Sequence, residues 1–123
     1  MSKPVIRFPR SSADISIREF ESWLDQFTPS QIVGRGGDAR ACPVACFLAI
    51  QGYDHPFVDQ QESRFGDASI LWPRRPSLTN PEWVRRFIEK IDDHANVEGQ
   101  EIQARTARHI LTEVIEEVGD DAA

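Results

Sequence analysis

The stretch from Ile15 to Phe27 constrains the fold most, because its apolar side chains share one face only if the backbone is helical. Ser16 and Glu19 occupy the polar positions of a capping box, and Ile15 and Phe20 those of a hydrophobic staple. Phe20, Trp23, Leu24 and Phe27 then recur at helical spacing and make a single apolar stripe. Such a stripe has to be buried against something else in the chain. Thr28-Pro29-Ser30-Gln31 reads as a second, brief helical turn with proline at its first position.

The partners follow in order. Gly34-Arg-Gly-Gly-Asp-Ala-Arg40 breaks any regular pattern and reads as a loop. Pro43 opens a helix that turns Val44, Phe47, Leu48 and Ile50 inward before Gly52 ends it. From Tyr53 to Pro76 the signals are strand and turn, and Phe57-Val58 and Ala68–Trp72 are placed as the arms of a hairpin. Val5–Phe8, closed by Pro9, is a further short strand. Asn80-Pro81-Glu82 starts a third helix with Trp83, Val84, Phe87, Ile88 and Ile91 on its inner face. After a turn at Asn96 and Gly99, a last helix carries Ile102, Ile110, Leu111, Val114, Ile115 and Val118 inward. With no internal repeat and no dividing linker, residues 1–123 are expected to form a single α+β domain. About four helices should pack on a small antiparallel sheet.

Charge narrows the function. The net charge is −6, and from Glu89 to Ala123 ten acidic residues face three basic ones. A negative C-terminal third repels phosphate backbones and attracts cations or basic partners, so nucleic acid is not an expected ligand, despite the arginine pairs at 74–75 and 85–86. No apolar run approaches the roughly 20 residues of a membrane span, and no N-terminal signal segment is apparent. Two cysteines four positions apart make no disulfide framework, and a cytoplasmic location is expected.

Enzymatic frames are missing. There is no Gly-x-Ser-x-Gly elbow, and the glycines at 34–37 lack the Lys-Ser/Thr of a phosphate loop. His55, His94 and His109 share no ligand spacing. Asp92-Asp93 and Glu116-Glu117 are sequence neighbours, which point in different directions on a helix. Cys42 precedes a helix N-terminus, where backbone N–H groups and the helix dipole would lower a thiol pKa; its other reading, shared with Cys46, is core packing. The chain is therefore expected to bind rather than to catalyse.

Carboxylate binding of a hard cation fits better. Ca²⁺ takes about six to eight oxygens from carboxylates, backbone carbonyls and water. The Gly34–Asp38 bend offers flexible backbone, with the Gly36 carbonyl, and one carboxylate, Asp38. Asp59, Glu62 and Asp67 are the candidates to complete the shell. The alternative for Asp38 is an Asx-turn, in which it bonds its own backbone two residues on. An EF-hand is excluded. With Asp92 at position one, Val97 falls where glycine is required and Gln103 where a bidentate glutamate is required.

In size, acidity, non-EF-hand character and the Asp38 loop, the chain resembles the small calcium-binding protein family of heterocyst-forming cyanobacteria. These are acidic cytoplasmic proteins of about this length that buffer free Ca²⁺, and loss of the buffer lets calcium rise as a vegetative cell becomes a heterocyst. The resemblance implies Ca²⁺ as the bound ion and Asp38 as a ligand; Gly36, Asp59, Glu62 and Asp67 follow from local chemistry alone. The competing expectation is an acidic protein-interaction adaptor that offers its negative surface to a basic protein partner.

Overall fold

The computed structural model describes residues 8–67 and 75–119. The expected strand at Val5–Phe8, apart from Phe8 itself, and the hairpin arm at Ala68–Trp72 lie outside the described residues.

Helix α1 spans Ile17–Leu24, and the Ser16 side chain accepts the Glu19 backbone N–H at its start. The expected staple is in place, with Ile15 and Phe20 both fully buried. Phe27 falls beyond the helix end, yet its ring meets Trp23 edge-on at 5.0 Å. Thr28–Gln31 is a turn rather than a helix, closed by Gln31 N–H donating to the Thr28 carbonyl and Thr28 N–H donating to the Gln31 side chain. Helix α2 spans Pro43–Ile50 with proline in its first turn, and Gly52 follows at φ +92°. Ile50, expected inward, is 71% exposed because the helix ends there and its last turn projects past the core.

Helix α3 runs Glu82–His94 after Pro81, and α4 runs Ala104–Val118. Among the described residues five short strands lie between the helices: β1 Ile32–Arg35, β2 Phe57–Val58, β3 Glu62–Arg64, β4 Ser77–Thr79 and β5 Glu101–Gln103. They form two antiparallel sheets rather than one: β1 pairs with β5, and β3 lies between β2 and β4. Two sequence expectations are corrected here. The start of the glycine-rich segment is strand, since Gly34 and Arg35 pair with Ile102 and Glu101. Ile102 is buried from strand β5, not from the last helix. Among the described residues the architecture is α+β, four α-helices with small antiparallel sheets.

One aromatic cluster holds the helices together. The Phe20 ring lies 5.3 Å from Phe47 of α2, and 5.2 and 5.0 Å from Trp83 and Phe87 of α3. Large rings contribute roughly 2–3 kcal/mol each when fully withdrawn from water, and more where edges meet faces. The Trp83 indole N–H donates to the Ile15 carbonyl at 3.1 Å, so its polar atom is satisfied inside the core. Arg108 of α4 donates to the Leu24 and Phe27 carbonyls and caps the C-terminal end of α1. Across the outer surface of α3 and α4, Arg86 and Lys90 both pair with Glu117.

An acidic cavity between the glycine bend and helix α3

Three segments meet on one side of this frame. The first is the bend after β1. The Gly36 N–H donates to the Gln100 carbonyl and its own carbonyl accepts Gly99 N–H, both at 2.8 Å. Gly36 is buried against the helix α3 end, and a Cβ there would stand 2.6 Å from Ala95 Cβ. Only glycine lets the strand come this close. Past this clamp the chain turns outward. Asp38 Oδ1 accepts Arg40 N–H at 3.0 Å, and the Asp38 carbonyl accepts Ala41 and Cys42 N–H. Asp38 thus forms the Asx-turn that was the alternative to ligation.

The second segment is the β2–β3 turn. Asp59 Oδ1 accepts Gln61 and Glu62 N–H, each at 2.8 Å. Behind the turn, Asn80 Nδ2 donates to the Asp59 carbonyl and Asn80 N–H donates to the Gln61 carbonyl. The buried Ser63 hydroxyl donates to Asn80 Oδ1. The third segment is the last turn of α3, where Asp92 Oδ1 accepts Gly37 N–H at 3.0 Å.

Together these segments enclose an open cavity of about 380 Å³. Asp38, Asp59 and Asp92 line it with Gln60 and Gln61, and the buried Val58, Ile88 and Cys42 also border it. Among the described residues no lysine or arginine lines it. Arg40, two residues after Asp38, instead places its guanidinium 6.0 Å from the Phe57 ring centre. Arg75 does the same at 5.8 Å.

Of the expected ligands, the fold brings Asp38 and Asp59 to one cavity and leaves the others elsewhere. The Gly36 carbonyl is engaged by Gly99, and the Glu62 carboxylate is held by Arg64 Nε at 2.8 Å. Asp67 is half-buried and does not line the cavity. Among the described residues no group of three or more His, Cys, Asp or Glu is placed to hold a metal ion. Asp92 is the cavity residue that sequence reasoning missed. In the sequence it stood only as half of the Asp92-Asp93 pair and as the first position of a failed EF-hand template; the bond to Gly37 joins residues 55 apart.

Of the two readings of Cys42, core packing is the one the structure has. The Cys42 thiol caps α2 by accepting Ala45 N–H at 3.5 Å, but burial outweighs the helix terminus and pushes its pKa up to about 12. Burial, then the Asp38 charge, raises Cys46. Neither is an activated nucleophile at neutral pH. The histidines stay apart, as their spacing implied: His55 meets Asp54 and His109 meets Glu113 at the surface, and His94 ends α3.

Among the described residues no helix is long and apolar enough to cross a membrane. Comparison with protein-family models, curated proteins and solved structures returns no match.

Proposed function

We propose that this protein is a non-enzymatic interaction module whose Asp38–Asp59–Asp92 cavity receives a cationic side chain from a basic protein partner. The observation that carries this reading is the convergence of Asp38, Asp59 and Asp92 on one cavity that no lysine or arginine lines among the described residues. A lysine or arginine head donates to several carboxylate oxygens without having to be enclosed by them. The net charge of −6 favours encounter with basic partners and disfavours nucleic acid. The free thiols of Cys42 and Cys46 suit the reducing cytoplasm.

Calcium binding is the second reading, favoured by one observation. Asp38 and Asp59, distant in sequence, line the same cavity with Asp92. An ion there would rely heavily on water to complete its shell. A buffering role like that of the heterocyst proteins belongs to this reading.

One set of variants separates the two. Asn in place of Asp38, Asp59 and Asp92 removes three charges yet keeps an Oδ1 acceptor for each backbone N–H. Fluorescence anisotropy with a labelled hexalysine peptide at low salt should show binding that the triple substitution weakens about tenfold or more, at up to ~1 kcal/mol per exposed charge pair. Equal peptide affinity in both proteins would overturn the first reading. Isothermal titration with CaCl₂ and then MgCl₂ tests the second, which requires a saturable calcium heat that the triple variant lacks.

A further inference from the structure

We draw no further inference here: the strongest candidate, the groove of about 450 Å³ between α1 and the end of α2 where exposed Ile50 stands among Arg18, Glu19, Ser22, Gln26 and Gln51, is a mostly polar surface and nothing in the structure shows what covers it.

Discussion

Asn80→Ala tests how the Asp59 turn is held. Asn80 is 8% exposed and Ser63 fully buried, and they are the buried polar residues among those described. Truncation removes the Nδ2 bond to the Asp59 carbonyl and the acceptor of the Ser63 hydroxyl. The lost bond to the carbonyl costs about 1 kcal/mol. The hydroxyl has no route to water, and an orphaned buried donor costs about 1–3 kcal/mol. The expected destabilisation is therefore about 2–4 kcal/mol by urea unfolding, with an unchanged dependence on denaturant concentration. The backbone bond from Asn80 to Gln61 survives the substitution, so the turn should loosen rather than detach. Adding Ser63→Ala removes the orphan itself, and the double variant should cost no more than Asn80→Ala alone. A loss below about 1 kcal/mol for Asn80→Ala, or single costs that simply add, would refute the reasoning.

Gly34→Ala should destabilise by about 2–3 kcal/mol and lower the melting temperature by about 10 °C, because the new Cβ meets rigid backbone. It would lie 2.6 Å from the Pro43 nitrogen and 2.8 Å from the Ala41 carbonyl oxygen; calorimetry showing no drop would contradict this packing. Native alkylation followed by mass spectrometry should label half-buried Cys46 before Cys42. Cys42 also gives an alkaline limb: its raised pKa means that its contribution is whole below pH 9.0 and is lost as pH rises toward about 12. Cys42→Ala should flatten that fall in urea stability, and identical pH profiles would dismiss the thiol as its source. The acid limb has the opposite sign. Hydrogen bonds from Arg86 and Arg85 lower Glu82, and those from Lys90 and Arg86 lower Glu117. Their contribution is present above pH 4.5 and lost as pH falls below it. At low salt, Glu82→Gln with Glu117→Gln should be less stable than the parent at pH 7 and converge with it in acid. A gap that persists in acid would count against these pairs.

The helices were legible because their signals are local. Ser16 with Glu19, Pro43, Gly52 and the Asn80-Pro81-Glu82 start each act within a turn of the chain, and the apolar stripes then fix the buried faces. Strands β1 and β5 lacked such signals. Each is three or four residues long, and their pairing joins Gly34 to Ile102 across most of the chain. Ile102 read as helical because it lies eight positions before Ile110, which suits a helix as well as a strand. Cys42 left two readings open for a related reason: its helix-terminus position is visible in sequence, whereas the burial that dominates its pKa comes from Val58 and the core.

The cavity divides in the same way, and the division bears on its ligand. Asp38 and Asp59 both sit in self-bonding Asx-turns, which the sequence permits within four residues, so each was visible as a candidate. What the sequence hid is that Asp92 spends a carboxylate oxygen on Gly37, and that Gly36 turns its carbonyl to Gly99 rather than to solvent. All three aspartates therefore use Oδ1 to fix backbone. The carbonyl expected to join them is already bonded. Calcium needs six to eight oxygens converging within about 2.6 Å, and carboxylates tethered to three separate backbone segments would have to leave those bonds or share them. An ammonium or guanidinium group makes a smaller demand, since it can donate to whichever carboxylate oxygens remain free. The bonds that tether the three aspartates thus support the proposed cationic side chain, which need not be enclosed, over an ion that must be.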